Sequence, residues 1–246
     1  MPQTRAIDPA FDPAPQPDRA RRILTRPDMA WLCPWGCRGF GPMLQLQQRL
    51  RHERREARRP DLWLAGEHPT VITQGVRGRA EDLARRPPWP VFQIDRGGMT
   101  TIHNPGQLLI YPIAGVHKGL LAQARFSRML LSSVAGWLHQ LTGLQFEIPR
   151  RRPGLFHEGR KVAAIGVSIR GGVTMHGIAI NCNNDLGPWR TIIPCGEPRT
   201  RPATLAQLLG RDVPPGDLLG GLSDYLVRWW GYERVRHVEP IPGTME

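Results

Sequence analysis

The stretch from Lys161 to Asn181 constrains this chain more than any other. Lys161 to Ile169 alternates, Gly171-Gly172 follows, and Val173 to Asn181 resumes an apolar run. Two strands joined by a Gly-Gly pair predict an antiparallel hairpin. Period-two alternation puts Lys161, Ala163, Ile165 and Val167 on one face, and Val162, Ala164, Gly166 and Ser168 on the other. The partner strand brings His176, Gly177, Ile178 and Ala179. Gly and Ala bury little area in a sheet, so something else is needed beside this hairpin to fill the gap. A slim apolar ligand such as a linear acyl chain fits a slot floored by Ala and Gly and walled by Ile and Val.

Around the hairpin, Met43, Leu44, Leu46 and Leu50 stand at helical spacing and predict an amphipathic helix over 42–58. Leu62 to Leu64, Val91 to Ile94, Leu108 to Ile113 and Gln145 to Ile148 read as strands, 119–141 as a long helix, and 203–209 and 216–230 as two short ones. Strands mixed with helices, without strict βαβ alternation, predict an α+β fold. With 246 residues, 40% of them hydrophobic, the chain can build a single core. Residues 1–29, rich in Pro, Asp, Arg and Ala, read as a disordered or loosely packed tail, 30–236 as the folded domain, and 237–246 as a loose C-terminal tail. No apolar run approaches the roughly 18 residues of a membrane-spanning helix, and the first residues lack the apolar core of an export signal. A cytoplasmic, monomeric protein with reduced thiols is expected.

The net charge of +12 points to acidic partners: nucleic acid, an anionic membrane surface or an acidic carrier protein. The basic residues are scattered and no nucleic-acid-binding motif is present, which disfavours the first. Of 33 basic residues only Lys118 and Lys161 are lysine. Lysine is the basic type that burial can turn into a proton acceptor, so Lys161, at the head of the predicted hairpin, stands out.

Three segments set polar or reactive side chains among glycines: Asp95 to Gln107, Gly159 to Gly166, and Ile193-Pro194-Cys195-Gly196. Glycine lets the backbone approach a ligand and leaves amide N–H groups open to an anion or oxyanion. Cys195, between Pro194 and Gly196, is expected at the tip of a turn. A lysine beside it would stabilise the thiolate or accept its proton, and a Cys195/Lys161 pair suits acyl transfer through a thioester. Cys182, inside a predicted strand, is assigned to structure. Cys33 and Cys37 have no second Cys/His pair at ligand spacing, so no metal is expected. His68, His103 and His176 each adjoin a motif, and the residues alone leave open whether they orient substrate or are hydrogen-bonded core histidines.

Taken together, Glu67-His68-Pro69, the RGG and HxPGQ elements of residues 96–107, Gly159 to Gly166, His176 to Asn181, Asp185-Leu186 and Pro194-Cys195-Gly196 resemble the lipoyl(octanoyl) transferase family over roughly residues 40–210. The resemblance implies a mixed sheet flanked by helices, like that of biotin and lipoate protein ligases, and makes 30–236 an octanoyltransferase domain. It implies Cys195 as the acyl-thioester nucleophile and Lys161 as its partner. Its substrate-contacting residues would be Arg96, Gly97, Gly98, Met99, Thr100, Thr101, Ile102 and His103, then Ala164, Ile165 and Gly166, then Gly177, Ile178 and Ala179. The implied partners are octanoyl-acyl carrier protein and the lipoyl domains of 2-oxoacid dehydrogenase complexes and the glycine cleavage H protein, with no cofactor. Where the family usually has Gln, Val, Tyr and Gly, this chain has Met99, Thr100, Ile102 and Asn104. The rival on the same fold is an ATP-dependent lipoate or octanoate ligase.

Overall fold

The computed structural model describes residues 14–83, 87–150, 152–192 and 201–239. In chain order these form α1 (Pro17–Arg21), β1 (Met29–Cys37), α2 (Phe40–Arg55), β2 (Asp61–Glu67), β3 (Val71–Gln74), β4 (Val91–Gln93), β5 (Thr100–His103), β6 (Gln107–Ile113) and α3 (Ala122–Thr142). The second half adds β7 (Leu155–His157), β8 (Arg160–Arg170), β9 (Val173–Asn181), β10 (Arg201–Pro202), α4 (Leu205–Leu209), α5 (Pro215–Leu219), α6 (Leu222–Trp230) and β11 (Arg234–His237). The fold is α+β, as expected.

Among the described residues a mixed sheet runs β10-β8-β9-β6-β2-β1-β11, with β7 on β8, and a small sheet runs β4-β3-β5. The hairpin forms as predicted, Ala163 facing Ile180 and Arg170 facing Val173 across its turn. One face of the large sheet packs under α3 and α6, where Phe126, Leu130, Trp137, Trp229 and Trp230 meet Val162, Ile178 and Ile180. The other face takes Met43, Leu46 and Leu50 of α2 against Leu64, Leu109 and Met175. A third cluster joins Ile72 and Ile102 of the small sheet to Trp189 and Ile192.

Four expectations need correction. The 1–29 tail is packed over part of its length: Ala20 and Leu24 are fully buried, Leu24 bridges Val116, and Arg21 donates to the Gly231 carbonyl. Two apolar residues four positions apart suffice to seat a helical turn, although the average composition of the segment is polar; residues 1–13 lie outside the described residues. At the other end, residues through His237 belong to β11, and Val238 still donates its amide to Leu32, because the exposed edge of β1 accepts a parallel strand. Residues 240–246 lie outside the described residues. The 145–148 strand reduces to a single bridge, Glu147 to Phe156. The 216–230 helix is interrupted at Gly220-Gly221 and becomes α5 and α6.

Candidate active site

A cavity opens between β8, β9, the small sheet and the 94–99 loop. Thirteen residues picked from the sequence line it: Arg96, Gly98, Met99, Thr100, Thr101, His103, Lys161, Ala164, Ile165, Gly166, Gly177, Ile178 and Ala179. Two do not. Ile102 is fully buried opposite Ile72 and packs with Trp189 and Ile192, because β5 pairs with β3 and turns that side chain into the small-sheet core. Gly97 donates its amide to the Val167 carbonyl and so fastens the loop to β8 instead. Cys195 lies outside the described residues. Sequence reading missed Phe40, Arg77, Ile94, Tyr111, Arg152 and Pro153, which complete the lining together with His176. They come from segments with no motif of their own and reach the cavity only through the fold.

The face assigned to Lys161 by simple alternation is wrong, for a local reason. On β7, Leu155 pairs with Ala163 but the next residue, Phe156, pairs with Lys161, so Val162 is an extra residue in β8. The bulge inverts the alternation at that end of the strand. Ala163 and Val167 enter the α3-side core, while Lys161 joins Ala164 and Gly166 at the cavity. Lys161 is 7% exposed, its Nζ lies 5.6 Å from the centre of the Phe156 ring, and its carbonyl accepts the amide of Ala203 at 2.9 Å. Gly154 is needed beside it, since a Cβ there would stand 2.6 Å from Lys161 Cε.

A directed chain of hydrogen bonds lines the wall. Asn181 Nδ2 donates to the Ala203 carbonyl, which leaves Asn181 Oδ1 to accept from Gln107 Nε2. Gln107 Oε1 must then accept, so His103 carries its proton on Nδ1, at 2.7 Å. The bare Nε2 of His103 faces Thr73 Oγ1 at 3.5 Å, and that oxygen accepts from the Arg96 guanidinium at 3.0 Å. Burial, helped by neighbouring His68, pushes the His103 pKa down to about 3, so its imidazole is neutral. His68 is likewise held below its usual value by burial and sits between the Arg38 carbonyl and the Tyr111 hydroxyl.

His176 adopts φ +59°, unusual for a side-chain-bearing residue, and its amide turns out of the sheet ladder to Gln47 Oε1. This aims its ring at Asp95, 3.0 Å away. The hydrogen bond from His176, with the charge of Arg51 nearby, holds the Asp95 carboxyl well below the usual carboxylate range. Burial lowers His176, against the pull of Asp95. The three histidines left open by the sequence are therefore buried and hydrogen-bonded, and two of them, His103 and His176, also line the cavity.

The described cysteines are unsuited to nucleophilic attack. Burial pushes Cys182 and Cys33 up to about 12, and Cys182 donates to the Ile180 carbonyl. Cys37 is exposed, also raised by partial burial, and lies away from the cavity lining. No group of three or more metal-ligating side chains forms among the described residues.

Residues 42–225, which carry the sheet, the glycine loop and Lys161, match the lipoyl protein ligase A/B catalytic domain. The chain belongs to that family. Among its relatives are octanoyltransferases: that of Pseudomonas fluorescens is 38% identical over 161 residues, 64% of this chain and 72% of the relative. The octanoyltransferase of Neisseria meningitidis is 32% identical over 185 residues, 75% of this chain and 88% of the relative. The fold is shared with lipoate-protein ligase A bound with ATP (TM-score 0.62, 14% identity, 86% of this chain and 89% of that one). It is shared too with a bipartite lipoate protein ligase from Thermoplasma acidophilum (TM-score 0.62, 12% identity, 87% and 88%).

Proposed function

We propose that this chain is an octanoyltransferase that moves an octanoyl group from acyl carrier protein, through a Cys195 thioester, to a lysine of lipoyl domains. The observation that carries the reading is the burial of Lys161 on a cavity wall floored by Ala164 and Ala179, in a chain whose relatives bear that activity in their names. The segment bearing Cys195 is followed by Arg201 and Pro202, which pair with Arg160 and Lys161.

In the first step the Cys195 sulfur attacks the thioester carbonyl. A C–S bond forms, the bond to the carrier's thiol breaks, and the Cys195 proton passes by way of Lys161 to the departing sulfur. In the second, the acceptor lysine attacks the new thioester. The amide forms, Lys161 takes a proton from the attacking nitrogen, and that proton returns to the Cys195 sulfur as it leaves. One thioester is exchanged for another and then for an amide, so the sequence runs downhill without ATP. Backbone amides of the glycine-rich loops supply donors for the oxyanion. The positive charge of the chain favours acidic carrier and lipoyl domains, including those of 2-oxoacid dehydrogenase complexes and the glycine cleavage H protein, as partners. Among the described residues no helix is long and apolar enough to cross a membrane.

Intact mass spectrometry after incubation with octanoyl carrier tests this. A hydroxylamine-sensitive octanoyl adduct is expected in the wild type and in Cys182→Ser, and none in Cys195→Ser. Octanoylation of a lipoyl domain only from free octanoate plus ATP would replace the proposal with a ligase.

A further inference from the structure

The gap beside the hairpin is not empty along its whole length. A Cβ on Gly166 would stand 2.7 Å from Arg96 Cδ and 2.8 Å from the Gly97 carbonyl, so the Arg96 stem lies directly across the strand there. Gly98 and Gly75 also give way to its guanidinium, with virtual Cβ atoms 3.3 and 2.8 Å from Nη1. The head is held by the Thr73 carbonyl at 2.7 Å, by Thr73 Oγ1, and by the Gly97 carbonyl at 3.0 Å. Thr73 is itself tied through His103 and Gln107 to Asn181. Lys161 thus lines the slot near the start of β8, and the Arg96 stem crosses it at Gly166.

We propose that Arg96, laid across Gly166 and fixed by Thr73, is the end wall that limits the length of acyl chain this enzyme accepts. The inference rests on the acyl-transfer reading above and adds its specificity determinant. Lys161 and Gly166 are five residue steps apart in β8. At about 3.3 Å per step, less the bulge, that is roughly 13–16 Å. With C–C bonds of about 1.5 Å, an extended eight-carbon chain spans about 9 Å and a twelve-carbon chain about 14 Å. The shorter chain leaves room for the thioester and the lysine. The longer one drives its terminal methylenes into a buried guanidinium.

The test is a competition in one vessel. Acyl carriers bearing six to fourteen carbons are mixed, a single turnover is allowed, and intact mass reads the chain lengths on the enzyme. Because the readout is a ratio, the fraction of folded enzyme cancels. Arg96→Ala is expected to lower the eight-to-twelve-carbon preference at least about tenfold, the scale on which a hydrophobic site discriminates methylenes. Arg96→Met, which keeps an unbranched stem but loses the guanidinium and its anchor at Thr73, is expected to lower it by less than Arg96→Ala. Thr73→Val, which removes the hydroxyl while conserving volume, lowers it about threefold through a less firmly held guanidinium, and decides the matter should Arg96→Ala not fold. An unchanged ratio in the folded variants overturns the proposal. So does loss of acylation by every length alike, which would make Arg96 a requirement of the chemistry and not of length. A wild type that takes up no acyl group overturns the underlying reading, and this proposal with it.

Discussion

The His176 ring donates from Nε2 to Oδ1 of Asp95 at 3.0 Å, joining β9 to the loop that carries Arg96. The same carboxylate accepts from Ser168 at 3.1 Å and from Arg51 at 3.3 Å, and forms an ion pair with Arg170 at 2.9 Å. A short acidic side chain thus pins the glycine loop to the hairpin on which the slot is built. Breaking it with Asp95→Ala is expected to loosen the loop, which amide hydrogen exchange across 94–101 would read as faster exchange. Unchanged protection there would remove Asp95 from this role.

Stability should fall as the medium is acidified from pH 7 toward 5. The unfolded chain binds a proton at each histidine near pH 6.5, whereas the folded chain holds His103 near 3 and keeps His68 and His176 below their usual value. The stabilisation is therefore complete above the unfolded value and is lost as pH drops. At pH 5 His103 alone accounts for about 2 kcal/mol. Asp95, shifted the same way, contributes its loss only below about pH 4, the unfolded carboxylate range. Urea midpoints at pH 7.5 and 5.0 would show the slope, and His103→Gln should flatten it.

Asp61 is fully buried, with Arg54 Nε at 2.6 Å, Tyr232 Oη at 2.7 Å and the Gly115 amide at 2.9 Å. Arg54→Met strands a carboxylate in the interior and should cost about 3–5 kcal/mol, while Tyr232→Phe, which leaves the ion pair intact, should cost about 1–3 kcal/mol. Equilibrium denaturation of the two variants would rank them. Equal losses would mean that the ion pair is not the dominant element of this site.

A Cβ on Gly177 would lie 2.0 Å from the Ile110 carbonyl and 2.8 Å from Pro112 Cδ, both on the neighbouring β6. Neither can swing away as a flexible side chain would. Gly177→Ala should therefore destabilise by at least about 2 kcal/mol, read by thermal denaturation. A neutral result would mean that β6 and β9 can separate at little cost.

Iodoacetamide at pH 7.5 should alkylate Cys37, which is exposed, and leave Cys33 and Cys182 unmodified in the native state. Peptide mapping before and after denaturation distinguishes them. Rapid native labelling of Cys182 would contradict its burial under a raised pKa.

What could be read directly from the sequence was local and periodic. The hairpin of β8 and β9, the helices α2 and α3 and the α+β class follow from alternation, helical spacing and a Gly-Gly pair, all of which act within a few residues. The motif glycines likewise located most of the cavity wall, because close backbone approach restricts which residues can stand there. The tertiary structure alone decided which way Lys161 points, since the bulge at Val162 exists only by virtue of pairing with β7. It alone showed that the space beside Gly166 belongs to Arg96, seventy positions earlier in the chain, and that Ile102 closes the small-sheet core instead of the cavity. Leu24, in a segment too polar on average to predict order, is buried because Val116 offers it a partner ninety-two positions away. Periodicity records which face a residue prefers; the neighbours that occupy that face are set by contacts between distant parts of the chain, which no local pattern encodes.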